Sequence, residues 1–312
     1  MNIKRCITAL CAVAVVVCAL ISGCDDPVID DPNNPGTSAT GGPNGSGENV
    51  DVGISFTRTD MNSSWTEADS VLIQLADGAT TVSGQGAAVD GDIVTITQEG
   101  TYVLSGKLSD GRIEVRADKL HKVHIVLNGV DVSNSTTAPF YVWSADKVVV
   151  TLAAGTVNTF TDSESYVDDQ SAEGAPNACI YSRDDISFNG TGTLNVNANF
   201  NNGIGCSNDV KIISGVYNVN AVNNGIKGKD SVSVKDGTVN IEAEDGIKSD
   251  NELEEDRGVI YITGGEISIR ADDDALQATN YIVVTGGNVE TDVAGKKLNC
   301  GGVVSISGGS VN

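Results

Sequence analysis

From Ile204 onward, apolar and polar positions fall into short alternating runs that recur along the chain. The stretches GIGCSNDVKIISGVYNVNAV, GIKGKDSVSVKDGTVNIEAE, GIKSD with GVIYITGGEISIRAD, ALQATNYIVVTGGNVETDV and KLNCGGVVSISGGSVN align on Ile204, Ile226, Ile247, Leu276 and Leu298. Their spacings are 22, 21, 29 and 22 residues, and removing the eight residues of NELEEDRG (Asn251 to Gly258) reduces 29 to 21. A constant period of about 22 residues with alternating strands and Gly turns predicts an all-β parallel solenoid. Within one rung, Val232 to Val234 predicts a strand, Asp236-Gly237 a corner, and Val239 to Ile241 a second strand. Equivalent corners fall at Ser214-Gly215, Gly264-Gly265, Gly286-Gly287 and Gly308-Gly309.

Less regular rungs are expected at Asp92 to Gly106, Lys122 to Ser135, Lys147 to Phe160 and Asp185 to Ala198. The polar excursion Thr161 to Asn177 is expected to project from the face that binds a ligand. Asp51 to Leu75 is expected to cap the first rung. Because Asn312 falls inside a rung, either further rungs follow or another surface covers that end.

Stacking turns equivalent positions into ladders about 4.8 Å apart. Two positions before the anchors stand Asn202, Asn224, Asp245 and Asp274, and one position earlier Asn201, Asn223, Glu244 and Asp273. Carboxylates in register repel unless a cation is shared, so Asp245, Asp273 and Asp274 are candidate Ca²⁺ ligands. Asn202 and Asn224 are explained without metal, as turn formers with amides bonded along the stack. One position after the anchors stand Gly205, Lys227, Lys248, Gln277 and Asn299. Lys227 and Lys248 are candidates to receive the carboxylates of an acidic sugar, or else local ion-pair partners of Asp245 and Asp230. The acidic insertion NELEEDRG is expected beside the same face, as a solvated loop or a second cation site. No GxSxG, HExxH or phosphate-binding loop is present. A lyase would need only a metal and one Lys as base, for which Lys227 or Lys248 beside Asp245 would serve.

Composition narrows the partners. The chain of 312 residues has 19 basic and 42 acidic side chains, a formal charge of −23. Such a surface repels nucleic acid and anionic membranes. At the N-terminus, Lys4 and Arg5 precede an apolar run from Ile7 to Ile21. The string LISGC, Leu20 to Cys24, resembles a bacterial lipoprotein signal. It predicts a signal peptide over 1–23, lipidation of Cys24, a Pro-, Gly- and Asp-rich tether over 24–50 and a folded body over 51–312. An ordinary signal peptide or short anchor is the alternative. The product would be extracytoplasmic, in the cell envelope, touching the membrane only through Cys24. Cys179, Cys206 and Cys300 give no disulfide framework and lie far from His121 and His124, so they are expected as small hydrophobes.

GTYVLSGKLSDGRIEV, VHIVLNGVDVSNS, SADKVVVTLAAGTVNTFTD, NGTGTLNVNAN, NNGIKGKDSVSVKDGTVNI and DGIKSDNE together resemble the bacterial carbohydrate-binding domain of secreted β-solenoid lipoproteins, over Asp51 to Asn312. The resemblance implies a right-handed parallel β-helix of pectate-lyase type, Ca²⁺, and binding of cellulose-type and acidic plant polysaccharides without established catalysis. It also implies further rungs beyond Asn312. The segments Asp245 to Asp250 and Asp272 to Asp274 match the family pattern; Asn223-Asn224 stands where many members carry Asp-Asp. Aromatic residues make up 4% of the chain with no evident ladder, which favours an acidic polymer over crystalline cellulose. Tyr141 and Trp143 either stack on sugar or fill the edge of the coil.

The expectation is therefore a polysaccharide-binding protein with carbohydrate contacts at Lys227, Lys248, Asp250 and Gln277, Ca²⁺ at Asp245, Asp273 and Asp274, and no catalytic residues. A Ca²⁺-dependent uronate lyase and a non-catalytic adhesin or stalk are the alternatives.

Overall fold

Alternation of apolar and polar side chains lets each short strand bury one side and hydrogen-bond to the strands above and below. The computed structural model of the protein describes residues 50–172 and 174–312; the signal, Cys24 and nearly all of the tether lie outside the described residues. The body is an all-β parallel solenoid with three faces.

One face is a sheet of parallel strands running from Ile93–Ile96 through Arg112–Arg116, Phe140–Ser144, Ala178–Ser182, Asn202–Cys206, Asn224–Gly228, Asp245–Ser249 and Leu276–Ala278 to Leu298–Cys300. The other two faces form one larger sheet, because Val259–Ala271, Tyr281–Val293 and Val303–Val311 run through the corner between them with a shift of register.

The five anchors are paired as the sequence alignment requires: Ile204 with Ile226, then Ile247, Leu276 and Leu298. Upstream, the ladder continues through Ile180, Phe140, Ile113 and Val94. From Val94 to Leu276 these side chains are buried, each contributing about 1.5–3 kcal/mol by leaving water. The period of about 22 residues holds only in the C-terminal half. Over about nine turns it averages about 24, because Val94 to Ile113 spans 19 residues and Phe140 to Ile180 spans 40. Loops of different length leave the inner strands untouched, so register survives while spacing does not.

The glycine corners stack as expected. Gly215, Gly237, Gly265, Gly287 and Gly309 all have positive φ, between 69° and 116°. A Cβ on Gly237 would lie 2.8 Å from the Gly215 carbonyl oxygen, so conformation and space together demand glycine.

The N-terminal segment departs from expectation. It does not simply cap the first rung; it runs as a strap along the second face before the coil begins. Lys211 Nζ donates to the Ser55 carbonyl at 2.8 Å. Phe56 stacks on Tyr261 with ring centroids 6.4 Å apart. The short helix Arg58–Met61 is held by a capping box between Thr57 and Asp60. The fully buried Asp60 carboxylate then accepts from Lys147 Nζ at 2.9 Å and Ser187 Oγ at 2.5 Å, with Lys211 Nζ 3.6 Å away. Asn189 Nδ2 donates to the Asp60 and Asn62 carbonyls, and Trp65 packs on Val103, Val126 and Ala153. The outward positions Ser187, Lys211 and Ser233 are buried because the strap covers them.

Burial opposes the charge on Asp60, but Lys211, Lys147 and the Ser187 hydroxyl outweigh it and hold the carboxyl at about 2 instead of 3.8. Since the folded value lies below the unfolded one, this network stabilises the fold at pH above 3.8 and is lost as pH falls through about 2. Asp60→Asn is expected to lower stability by about 2 kcal/mol at neutral pH. The melting-temperature gap between variant and wild type should close as the pH approaches 2; a gap independent of pH would contradict the assignment.

Candidate functional site

Strand alternation on the first face sends every second side chain outward. The outward row one position after the anchors reads Glu114, Tyr141, Tyr181, Gly205, Lys227, Lys248, Gln277 and Asn299, each paired with the next. Lys227 Nζ lies 2.6 Å from Asp250 Oδ2, and Lys248 Nζ lies 3.2 Å from Asp245 Oδ2. The Lys248–Asp245 pair is the one the sequence offered. Lys227 takes Asp250 and not Asp230, whose carboxylate faces Arg257 and Asn251. Lys227, Lys248, Asp250 and Gln277 thus share one end of a single face.

At the leading corner of this face, Asp245 and Asp274 are 6% and 4% exposed, while Asp273 is open to solvent. Carboxylate oxygens of the three lie within 4.8 Å of one another. Asp245 Oδ1 accepts the Asp274 amide at 3.1 Å. Asp274 accepts the Lys296 amide at 2.7 Å, Asn299 Nδ2 at 2.5 Å and Gln277 Nε2 at 3.4 Å. These bonds hold two acids close together, with one ammonium, Lys248, to offset them.

Asn224 precedes Asp245 in the ladder. Its Nδ2 donates to Asn202 Oδ1 at 2.6 Å, and Asn223 Nδ2 donates to Asn201 Oδ1 at 2.8 Å. The amide stack expected for Asn202 and Asn224 is therefore present. Yet Asn224 Oδ1 and Gln277 Oε1 are buried without a donor, an uncommon state for an oxygen next to fixed carboxylates. The three converging carboxylates are hard oxygen donors of the kind that could hold Ca²⁺, and Asn224 and Gln277, on the strands before and after Asp245, are candidates to add amide oxygens. The unpartnered amide oxygens of Asn224 and Gln277 were not read from sequence, although Asn224 has the same phase as Asp245.

Two features surround the site, and the acidic insertion is placed differently from expectation. Asn251 to Gly258 leaves the trailing end of Asp245–Ser249, away from the Asp corner. There Arg257 pairs with Asp230, and the loop borders a cavity of about 580 Å³ shared with strap residues 51–55. The excursion after Thr161 folds over the first face at Tyr141, which is buried together with Ala178 and Tyr181. Tyr141 Oη donates to the Gly174 carbonyl at 2.8 Å, and burial pushes its phenol up to about 12. Tyr141 is thus unavailable for stacking on sugar, whereas Trp143 is 40% exposed. Cys179 and Cys206 are free and buried, their thiols pushed up by burial, and Cys300 is free and half-buried.

A family described as "Carbohydrate-binding domain-containing protein" matches residues 90–312. The chain belongs to this family. A carbohydrate-binding domain-containing protein of Acetivibrio thermocellus is 48% identical over 136 residues, 44% of this chain and 48% of that protein. The chain therefore spans about half the length of the curated relative it matches. A solved structure, described as that of the polysaccharide lyase-like protein from C. thermocellum in a gadolinium derivative, superposes with a TM-score of 0.73 at 42% identity. It covers 77% of this chain and 98% of its own. The residues matched to the family include the whole outward row and the Asp corner of this chain.

Gly246 lies between the paired Asp245 and the next rung, and a Cβ there would sit 2.4 Å from the Ala275 carbonyl and 2.5 Å from Ile269 Cγ2. Gly246→Ala is expected to destabilise the coil by about 1–3 kcal/mol through overpacking, read as a lower thermal midpoint. An unchanged midpoint would show that the rungs part freely at the Asp corner.

Proposed function

We propose that the protein binds acidic polysaccharide, of polygalacturonate type, through the outward face bearing Lys227, Lys248, Asp250 and Gln277, with Ca²⁺ at the Asp corner. The observation that carries this reading is the adjacency of the Lys row to the three converging carboxylates. Asp245, Asp273 and Asp274 would hold the ion, with the neighbouring Asn224 and Gln277 as candidate amide ligands, and the ion would neutralise uronate carboxylates that the protein's own charge repels. Lys227 and Lys248 supply ammonium groups at the spacing of neighbouring strands, about 4.8 Å. Attachment to the cell envelope through lipidated Cys24, with the acidic tether as spacer, completes the reading.

Binding without catalysis is favoured over lyase action. The polysaccharide lyase-like description of the structural neighbour supports the latter, but both candidate bases, Lys227 and Lys248, direct their Nζ atoms at carboxylates. A lyase would release products with a new carbon–carbon double bond, measurable by absorbance; the binding reading expects none.

Calorimetric titration with polygalacturonate should give heat in Ca²⁺ and none in chelator. Asp273→Ala, an exposed site, should abolish the Ca²⁺-dependent rise in melting temperature without unfolding the apo protein. Equal binding in chelator would remove the ion from the reading, and no binding in either condition would favour a structural stalk.

A further inference from the structure

Further along the outward face that carries the Lys row stands a side-chain stack that the proposed function does not use. Trp143 is 40% exposed in a chain with only two tryptophans. Arg116 Cζ lies 4.6 Å from the Trp143 ring centroid and Arg183 Cζ lies 4.9 Å from it. Arg116 belongs to the strand on one side, Arg112–Arg116, and Arg183 follows the strand on the other, Ala178–Ser182. The indole is therefore sandwiched between guanidiniums from the rungs before and after it.

This arrangement concentrates positive charge on a strongly acidic protein. Glu114 is shared by Arg112, at 2.5 Å, and Arg116, at 2.7 Å, so that trio carries 2 − 1 = +1. Arg183 makes no ion pair with any described carboxylate, which brings the cluster to +2. The neighbouring Asp184 is engaged by Lys119 at 2.5 Å. Contact with the ring holds both guanidiniums beside the indole; Arg116 gives its Nε–H to Glu114 and Arg183 one N–H to the Tyr141 phenol, which leaves the remaining N–H groups of Arg183 to meet a carboxylate. Tyr141 packs against Trp143 with ring centroids 5.4 Å apart and against Tyr181 at 5.7 Å, which stiffens the stack.

We infer that Arg116, Trp143 and Arg183 form a second carboxylate-binding subsite for the same uronate polymer, with Arg183 as its principal contact. The inference rests on the acidic-polysaccharide reading. Four strand steps separate Trp143 from the Lys248 strand, about 19 Å at 4.8 Å per step, so a polymer lying along the coil axis engages both clusters while a short oligomer engages one. Linked engagement of this kind raises the affinity for the polymer above that for either part.

The test compares the full chain with Arg183→Ala, Arg183→Lys and Lys248→Ala, titrated in Ca²⁺ with polygalacturonate, a short galacturonate oligomer and a neutral β-glucan oligomer, with melting temperature as the folding control. Arg183→Ala is expected to weaken polymer binding about tenfold and leave neutral-glucan behaviour unchanged. Arg183→Lys should recover only part, because an ammonium cannot reproduce the planar fork. Polymer binding that is weakened by Lys248→Ala but unaffected by Arg183→Ala would overturn the subsite and leave the proposed function standing. Absence of polygalacturonate binding by the wild type would overturn both. Displacement of the polymer from wild type by poly-glutamate, with Arg183→Ala abolishing poly-glutamate binding alone, would reassign the stack to an acidic protein segment and overturn the inference.

Discussion

Parallel stacking in register is the constraint from which the rest of the molecule follows. Each strand lies about 4.8 Å from the next, so a side chain meets its counterpart from the neighbouring rung more closely than almost any other group. For aliphatic residues this is favourable at every step, and the unbroken column from Val94 to Leu276 is the result. Asparagine gains an amide-to-amide bond, as in Asn201–Asn223 and in Asn195–Asn218–Asn240. A charge, by contrast, faces its own sign. Where Lys227 stacks on Lys248 the chain answers with Asp250 and Asp245, one acid per ammonium. The Asp corner breaks that balance, with three carboxylates about one Lys.

The same rule explains the strap. Lys147 and Lys211 lie on one outward side of the second face, and the N-terminal segment brings Asp60 between them, sealed from water. Breaking such a pair leaves an uncompensated buried charge, which is why one residue can control the docking of a long segment. Charge compensation across the molecule is thus local on the first face and long-range on the second.

The repeated half of the fold was legible from sequence, because Ile204, Ile226, Ile247, Leu276 and Leu298 report both strand phase and rung order. Gly215, Gly237, Gly265, Gly287 and Gly309 marked the corners for a physical reason, the positive φ and the closeness of the next backbone. The convergence of Asp245, Asp273 and Asp274 was also legible, once phase was known. What escaped lacks any period. Asp60 is one acid among 42 acidic residues, and nothing local reveals that it reaches Lys147 and Ser187, 87 and 127 residues away. The burial of Tyr141 depends on where an irregular loop folds, and the pairing of Lys227 with Asp250 instead of Asp230 depends on side-chain direction at a strand end. The position of the acidic insertion turned on which corner of the rung it left, which a spacing argument does not specify.

The course of the strap also determines how the body meets a load. The chain enters alongside late rungs, where Asp51 and Val52 share a cavity with Tyr281, and travels back along the coil past Tyr261 and Ser187 to Val71, where the first strand begins. A tension applied at Val50 along the coil axis, away from the first rung, would pull the Lys211–Ser55, Asp60–Lys147 and Asn189 contacts in shear, sharing the force among them. The same tension applied perpendicular to the face would strip them one after another. Detachment under force is set by the barrier to unfolding and not by equilibrium stability. The direction of a pull at Val50 therefore becomes a mechanical variable, shear along the coil being resisted better than peeling from its flank.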